Sequence, residues 1–582
     1  MTRKPAKKKT SLEAPPFPGD IRFPGITPGR DEIGGLLKEL PHRLNALKYK
    51  AANGCLWAMV IGGTGTGKST LFNLFCGRNL SMTGVERPKT LGPLAFAHEG
   101  CRVEQDFPFP DLAPEKIPES DEQALPTSGG PGILTVVEHR DKNLAGVVVV
   151  DTPDLDSIEE HNRKSALRLA LLADAVIFVT SQEKYADEVP SRLLRGILEE
   201  GAVAYFILNK ADKGFDEKDA ARMAQNAGID LKEERLWVVP RVSSNSFQEI
   251  AGHPGFQAFK ERFSGDFSAG TANRRQGDWL ARNADSTQSR LQTLKQLLEA
   301  EKTALDSWSG ELEAVFREAS EELIRLEGEQ FAAGRKSHIQ KEIRGLFSRY
   351  DLLAGPRRAL GNVIRVPFRL LGSALGVSRG KDPASVEKAR KAADPAPVLE
   401  VLARADRKVL ENLAGANEAS PLFHAVRQPG IAMEPGAVES RLSTEQENLE
   451  IWLKDRFDEM ARGLPLIKKW SIYSTSVIWG VLILALEATL GGGFTMIDAL
   501  LDSALAPLVT KGSAELFAFQ EIRKLAREMA QRYRQGLLSI IREQQAKYEK
   551  AAEPFHISFE DLEKLELIAL EVLQLKNQAK GK

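Results

Sequence analysis

A short glycine-rich run has the residue types and spacing of a phosphate-binding loop; it reads Gly62-Gly63-Thr64-Gly65-Thr66-Gly67-Lys68-Ser69. Glycines let backbone N–H groups turn toward phosphate oxygens, and a helix that follows presents the positive end of its dipole. We expect Lys68 to reach the β and γ phosphates of a nucleotide and the Ser69 hydroxyl to bind Mg²⁺. The predicted phosphate contacts are Gly62, Gly65, Thr66, Gly67, Lys68, Ser69 and Thr70.

A second motif, Asn209-Lys210-Ala211-Asp212, directly follows an apolar run that predicts a strand. The carboxylate of Asp212 can accept both the ring N1–H and the exocyclic amino group of guanine, a pair that adenine cannot supply. We expect Asn209 and the stem of Lys210 to support the loop and cover the base. Together with the glycine-rich run, this motif predicts a site for GTP and GDP.

A third motif, Asp151-Thr152-Pro153-Asp154, ends another apolar run. Its position is that of the switch motif whose first aspartate contacts Mg²⁺ through water. Asp154 replaces the usual glycine, which would bring its N–H to the γ phosphate, and Leu155 stands where a glutamine would orient the attacking water. The sequence therefore predicts GTP binding with slow intrinsic hydrolysis.

A threonine is expected to complete the metal site between the glycine-rich run and the second strand. Thr90 is the best candidate because it lies just before a strand, while Thr83 remains an alternative. A loop threonine without a ligand role is the remaining interpretation. The predicted catalytic residues are Lys68, Thr90 and Asp151, and the predicted Mg²⁺ contacts are Ser69, Thr90 and, through water, Asp151.

The residues that must position these motifs predict an α/β domain. Residues 55–240 alternate short apolar runs with polar helical stretches, which is typical of a mostly parallel sheet wrapped by helices. An insertion at 99–131, rich in Pro, Gly and acidic residues, is predicted to be an irregular surface loop. The predicted strands are 56–61, 92–97, 133–138, 146–150, 175–180, 203–208 and 236–239.

The second half of the chain predicts helices. From about residue 275 the apolar residues recur at heptad spacing, with Glu301 as the one exception. The heptad residues are Leu291, Leu294, Leu298, Leu305, Trp308, Leu312 and Val315. Further helices are predicted around 397–414, 441–463, 519–541 and 559–576. An all-α bundle or a hinged stalk follows from this pattern.

The length and composition of the chain limit how it can be divided into domains. A chain of 582 residues is too long for one hydrophobic core, so we predict a disordered basic and Pro-rich tail at 1–29, a nucleotide domain with a leading helix at 30–265, and the helical region at 275–582. Lys and Arg total 79 against 80 for Asp and Glu, so no overall charge attracts nucleic acid or membrane.

Cysteine usage predicts a cytoplasmic protein without a disulfide framework. The three cysteines, Cys55, Cys76 and Cys101, are odd in number and lack metal-ligand spacing. No apolar run with a cleavage site follows the basic N-terminal residues, so no secretory signal is expected.

Two segments of the helical region are candidates for membrane contact. Residues 470–486 carry no charge but fall short of the about 20 residues that a membrane span needs. The next stretch, up to 509, is amphipathic, so 470–509 predicts either membrane insertion or a dry bundle core. Residues 355–381 combine basic and apolar residues without an acid, which favours an anionic lipid surface or an acidic neighbour in the bundle.

Together the motifs resemble the translation-factor and Era-like branch of P-loop GTPases over residues 50–265. The stretches 151–157 and 179–190 look like bacterial dynamin-like GTPases, especially actinobacterial ones with a DxPDxDS switch and a YAD-x-VP segment. Gly65 departs from the polar residue of the dynamin-type loop, so that family's catalytic arrangement does not carry over intact. Ser243 and Ser244 lie where related GTPases touch the guanine oxygen.

The resemblance implies an α/β P-loop GTPase domain followed by an all-α bundle or stalk that mediates self-association and lipid contact. We therefore predict a dynamin-like mechanoenzyme that uses Mg²⁺, forms a homodimer or oligomer, and lies at or in the inner membrane from the cytoplasmic side. A soluble switch that recruits a protein partner is the alternative. A ribosome-assembly GTPase ranks third, because no RNA-binding fold is recognisable and no nucleic-acid partner is expected.

Overall fold

A computed structural model describes residues 15–81, 92–117, 130, 132–153, 160–184, 188–226, 235–241, 247–267, 269–332, 395–461 and 513–580. The chain forms two compact units. The sheet unit comprises the described residues of Met1–Ile21, Gly29–Glu299 and Ile557–Lys582. The helical unit comprises Arg22–Pro28 and the described residues of Ala300–His556.

A mostly parallel sheet forms the centre of the sheet unit, as the apolar pattern predicts. Among the described residues it has eight strands in the order β3-β4-β2-β5-β1-β6-β7-β8. Only the β2–β5 pair is antiparallel; all other neighbours run parallel. The strands are β1 Leu56–Ile61, β2 Leu94–His98, β3 Ala113–Ile117, β4 Ile133–His139, β5 Val147–Asp151, β6 Ala175–Thr180, β7 Val203–Ala211 and β8 Leu236–Pro240.

The prediction of an irregular loop at 99–131 is wrong for β3. This strand pairs parallel with β4 at the edge of the sheet. An edge strand tolerates Pro114 and exposed charges, and both features hide a strand from a reading based on apolar alternation. Lys116 on β3 forms ion pairs with Glu104 at 2.5 Å and Glu138 at 2.8 Å.

Helices cover both faces of the sheet, each over its own apolar cluster. The central strands are buried along their whole length, as in other sheets packed between helices. The helices of this unit are α1 Arg30–Ala52, α2 Lys68–Cys76, α3 Glu160–Ala170, α4 Glu188–Glu199, α5 Glu217–Asn226, α6 Phe247–Ala251, α7 Pro254–Asp266, the part of α8 (Ala269–Ala332) up to Glu299, and α13 Phe559–Lys580.

A buried ion pair joins α1 to the start of β6. Lys50 on α1 contacts Asp174, and both side chains are almost fully excluded from water. Lys50 also donates to the carbonyl of Cys55 at 2.9 Å, and Asp174 accepts the N–H of Trp57 at 2.7 Å. The ammonium lies 5.1 Å from the ring centroid of Trp279 on α8, so α1, α8 and the sheet meet at one polar point.

Within its described residues, the helical unit contains the remainder of α8 and four further helices. These are α9 Ala396–Asn417, α10 Pro421–Val426, α11 Pro435–Ala461 and α12 Ser513–Ala552. They overlap the helices expected around 397–414, 441–463 and 519–541. All seven heptad residues of α8 are buried, so the predicted apolar stripe is a packing face.

The heptad exception, Glu301, has a specific structural role. Its carboxylate is fully buried and accepts the backbone N–H groups of Gly25, Ile26 and Thr27 at 2.8, 3.1 and 2.9 Å, together with the Thr27 hydroxyl at 2.5 Å. Gly25 has φ +69°, which favours glycine. Residues 22–28, which we call the strap, are therefore held on the helical unit, and the predicted disordered tail at 1–29 is ordered at this end.

The expectation of no disulfide is wrong in the structure. Cys55, just before β1, is bonded to Cys101, and their α-carbons lie 5.6 Å apart. The side chain of Asn53 lies beside this bond, because it donates to the carbonyl of Cys101 at 2.8 Å and accepts the N–H of Cys55 at 3.4 Å. Cys76 is the remaining cysteine. Three cysteines are compatible with one disulfide and one free thiol.

The two candidate membrane segments, 355–381 and 470–509, lie outside the described residues. Within the part of the chain that the structure describes, no helix combines the length and apolar character needed to cross a membrane.

Candidate functional site

The glycine-rich residues 62–69, which we call the phosphate loop, connect β1 to α2. Every residue of β1 is buried, so the loop begins at a fixed point on the sheet. Gly65 and Gly67 have φ of +81° and +89°, a region that side-chain-bearing residues rarely adopt. Gly67 precedes Lys68, the first residue of α2, and its carbonyl accepts the N–H of Leu71 at 3.0 Å. The loop thus leads directly into a helix N-terminus.

Two glycines of this loop also lie against neighbouring chain segments. A Cβ on Gly62 would lie 2.1 Å from the carbonyl oxygen of Val179 on β6, and a Cβ on Gly67 would lie 2.2 Å from Nδ2 of Asn209. At Gly62 the contact is with backbone and excludes any side chain, whereas a side chain at Gly67 would displace the Asn209 amide and strain the positive φ. The buried Thr66 hydroxyl donates to the carbonyl of Gly63 at 2.9 Å and closes the loop from inside.

The 209–212 motif lies against the phosphate loop. Asn209 and Lys210 belong to the end of β7, and Asn209 Nδ2 donates to the carbonyl of Thr66 at 2.8 Å. Lys210 Nζ donates to the carbonyl of Gly65 at 2.7 Å, and the residue itself has φ +55°. Two motifs separated by about 140 residues of sequence are therefore joined by direct hydrogen bonds.

Asp212 lies just beyond β7 with about two thirds of its side chain exposed. Its backbone N–H donates to Oε1 of Gln182 at 3.1 Å, and Nε of Arg241 lies 4.0 Å from its carboxylate. Arg241 also contacts Glu183 at 3.3 Å. Gln182 and Arg241 were not predicted as site residues. Their only sequence signal is that each lies two residues after the end of a predicted strand.

Asp151 is the last residue of β5 and is fully buried. Its Oδ2 accepts the hydroxyl of Ser81 at 2.7 Å. The neighbouring Thr152 donates through both N–H and hydroxyl to the carbonyl of Val60, at 3.3 and 2.8 Å, and so ties the end of β5 to β1. Sequence reasoning missed Ser81, because a lone serine in a loop carries no motif signal.

The charge of Asp151 also acts on Cys76 at the end of α2. Burial raises the pKa of the Cys76 thiol well above its usual value, and the negative charge of Asp151 raises it further. Lys260 and Arg78 act in the opposite direction without cancelling this effect. The raised pKa favours the neutral, weakly nucleophilic form of the Cys76 thiol.

The donor set of the site suits Mg²⁺ in its chemistry. Lys68 is buried, Ser69 and Thr70 lie in the first turn of α2, and Asp151 ends β5, the strand that pairs directly with β1. A hydroxyl and a carboxylate are hard oxygen ligands, and Mg²⁺ usually takes one or two of these together with substrate phosphates and water. No group of three or more His, Cys, Asp or Glu side chains in the described residues could hold a metal by itself, and a phosphate-shared Mg²⁺ site does not need one.

Several predicted site residues lie outside the described residues. These are Thr90 and its alternative Thr83, Asp154 and Leu155 of the switch motif, and Ser243 and Ser244. Their assignments stay predictions.

Comparison with known proteins gives limited similarity. No protein-family model matches the sequence. Over 192 residues the chain is 28% identical to a protein described as uncharacterized and encoded in the xynA 3′ region of Caldicellulosiruptor sp. (strain Rt8B.4). This match covers 30% of the present chain and 47% of that protein, so the chain spans about half the length of the curated relative it matches.

Two solved structures are similar at 13% identity, with 95% of this chain and 90% of each of those chains covered and TM-scores of 0.27 and 0.26. Their titles describe an oligomerised bacterial dynamin pair that provides a mechanism for long-range sensing and tethering of membranes. Similarity at this level does not identify the ligands or the activity of the present chain, which rest on the geometry of its own site.

Proposed function

We propose that this chain is a GTPase that binds GTP with Mg²⁺ through the phosphate loop and the 209–212 motif and hydrolyses it to GDP. One observation carries the proposal. The side chains of Asn209 and Lys210 donate to the carbonyls of Thr66 and Gly65, so the motif with guanine-binding chemistry lies beside the loop with phosphate-binding chemistry. A nucleotide with its phosphates at one motif and its base at the other would span both.

Each residue has a role that follows from its chemistry. Lys68 would hold the β and γ phosphates at the N-terminus of α2, where the helix dipole adds to its charge. Ser69 would bind Mg²⁺ directly and Asp151 through water, and the ion would neutralise charge on the phosphoryl group when bound. Asp212 would select guanine by accepting two N–H groups from its edge. Thr90 is proposed as the remaining metal contact and, with Lys68 and Asp151, as part of the catalytic set.

Slow intrinsic hydrolysis is part of the proposal. Asp154 and Leu155 stand where a glycine N–H and a water-orienting glutamine would act. Without those groups, the attacking water has fewer partners to orient it, and orientation is most of what a phosphoryl-transfer enzyme supplies. A second copy of the chain or another activator would have to supply the missing groups.

Isothermal titration calorimetry with GDP, a non-hydrolysable GTP analogue and ADP tests nucleotide binding. We expect tight binding of both guanine nucleotides, weak binding of ADP, and loss of tight binding in Lys68→Ala. Asp212→Asn should shift preference from guanine toward xanthine nucleotides, because an amide presents a donor where guanine needs an acceptor. Asp216→Asn, the same change at an exposed site nearby, is the matched control. Unchanged GTP affinity in Lys68→Ala would refute the phosphate assignment.

We further propose that the protein is a dynamin-like mechanoenzyme that couples nucleotide state to self-association and contact with an anionic membrane. This extension is supported by the resemblance of 151–157 and 179–190 and by the apolar and basic segments 355–381 and 470–509. Flotation with anionic vesicles in GTP analogue, GDP and no nucleotide tests it, with deletions of each segment as comparisons. Failure to float in all three states would favour a soluble switch that recruits a protein partner.

A further inference from the structure

Asn73, on α2, uses the full hydrogen-bonding capacity of a buried amide. Its Oδ1 accepts the N–H groups of Leu80 and Ser81 at 3.0 and 2.7 Å. Its Nδ2 donates to Oδ1 of Asn79 at 2.9 Å and to the carbonyl of Ser81 at 2.7 Å. An amide has two acceptor positions and two N–H donors, so all four are satisfied. The reversed amide would face its NH₂ toward two backbone N–H groups, which fixes its orientation.

The same residue also closes the helix that carries it. The carbonyl of Asn73 accepts the N–H of Arg78 at 3.1 Å, beyond the C-cap Gly77, whose φ is +68°. This is the glycine-terminated helix end that reverses the chain and satisfies a terminal carbonyl. The chain then returns along α2, and Leu80 is buried in the apolar cluster on that face. Asn73 therefore connects the helix of the phosphate loop to the segment that follows it.

Ser81 is the residue that this arrangement places at the site. Its N–H and its carbonyl are both bonded to Asn73, so the residue has little freedom to turn. It is 5% exposed, and its hydroxyl donates to Oδ2 of the fully buried Asp151. A buried carboxylate is stable only when its oxygens have partners, and a hydroxyl that is itself held in place also fixes the carboxylate's rotamer.

We propose that Ser81 is a positioning residue that orients the carboxylate of Asp151 toward Mg²⁺, and that Asn73 holds Ser81 for this purpose. The inference rests on the proposed function, because Asp151 has a metal to face only if the site binds a nucleotide with Mg²⁺. Ser81 itself does not contact nucleotide or metal in this proposal. Because Ser81 acts through Asp151, removing its hydroxyl weakens the Mg²⁺-dependent part of nucleotide binding. The Mg²⁺-independent part stays unchanged.

The test measures release of a fluorescent GDP analogue from the full chain over a series of Mg²⁺ concentrations and in excess EDTA. Ser81→Ala removes only the hydroxyl oxygen. We expect the Mg²⁺ concentration for half-maximal retention to rise about three- to tenfold, the effect of losing one hydrogen bond of typical net strength. The release rate in EDTA should match that of the wild type. Ser81→Cys has a weaker donor of similar shape, so its half-maximal Mg²⁺ concentration should lie between those of the wild type and Ser81→Ala.

Ser420→Ala is the matched control for general loss of stability. Ser420 is a fully buried serine in the helical unit whose hydroxyl accepts one N–H, from Phe423 at 2.9 Å. Its replacement should lower the melting temperature without changing the Mg²⁺ dependence. If Ser81→Ala speeds release equally with Mg²⁺ and in EDTA, or changes neither, the positioning role is overturned while the proposed function stands. If the wild type binds no guanine nucleotide in either condition, both fall.

Discussion

The carboxylate of Glu301 accepts the backbone N–H and the hydroxyl of Thr27, which lies 274 residues earlier in the chain. Two neighbouring N–H groups of the strap bond to the same side chain. A carboxylate in the middle of an apolar heptad stripe would be unstable if it were unpaired. Its four strap contacts explain why α8 keeps a charge at a packing position.

Glu301→Leu should release the strap. Leucine restores the heptad pattern but leaves three strap N–H groups without an acceptor, so we expect attachment of the strap to weaken by about 3 kcal/mol. Limited trypsin digestion followed by mass spectrometry should then show faster cleavage after the exposed Arg22. Glu313→Leu, at an exposed position of the same helix, should leave this rate unchanged. Equal cleavage rates in both variants would contradict the anchoring role.

The Lys50–Asp174 pair should behave as one energetic unit. Burial lowers the pKa of Lys50 and raises that of Asp174, and their mutual attraction only partly offsets this. Lys50→Met leaves a buried carboxylate without its ammonium and should destabilise the sheet unit by about 3–5 kcal/mol. Lys50→Met combined with Asp174→Asn should be less destabilising than the sum of the single changes. Urea unfolding of the four proteins gives the coupling, and simple additivity would refute it.

The ion pairs of Glu200 with Arg43 and Arg290 should make the free energy of unfolding fall as the pH becomes acidic. Burial alone would raise the pKa of Glu200, but Arg43 at 2.6 Å and Arg290 at 2.9 Å lower it overall. A carboxyl whose pKa is lowered by folding stabilises the fold above its unfolded pKa of about 4.3, and the contribution disappears as pH falls through the lower folded pKa.

We therefore expect Glu200→Gln to be less stable than the wild type by about 1–3 kcal/mol at pH 7, with the difference shrinking below about pH 4.5. Urea unfolding from pH 7 to pH 3 measures it. Glu199→Gln, the adjacent exposed residue, is the control and should show no such pH-dependent difference. A difference that grows on acidification would have the wrong sign for this cluster.

The Cys55–Cys101 bond predicts a thiol count. Denatured, unreduced protein should bind one equivalent of a thiol reagent, at Cys76, and three equivalents after reduction. In the native protein Cys76 should react slowly, because its raised pKa keeps it neutral. Reduction should lower stability by about 2–4 kcal/mol. Three reactive thiols in the unreduced, denatured protein would show that the bond does not form.

Local patterns were enough to predict the sheet and the helices. The continuous apolar runs at β1, β5 and β6 predict buried strands, and the heptads of α8 predict its packing face. β3 was missed because an edge strand buries too little to show alternation. These successes and the failure have the same cause. A periodic apolar pattern appears in the sequence only where an element buries one face or both faces.

The site was predictable only where chemistry depends on a contiguous motif. Asn209, Lys210 and the phosphate loop carry such motifs, and the structure brings them together. Ser81 and Gln182 contribute through contacts between distant segments, and no residue spacing encodes those. Glu301 is an intermediate case, because the sequence marked it as an exception but could not name the strap as its partner.

The four hydrogen bonds of the Asn73 amide set a limit on how this region can change in length. Residues 74–80 form a closed ring from the side chain of Asn73 to the backbone of Ser81, and adding or removing one residue would shift Leu80 and Ser81 out of reach. Insertions and deletions between Asn73 and Ser81 should therefore break these hydrogen bonds. Sequence alignments of relatives should show no gaps in this stretch, and an engineered reporter or tag would have to be inserted elsewhere.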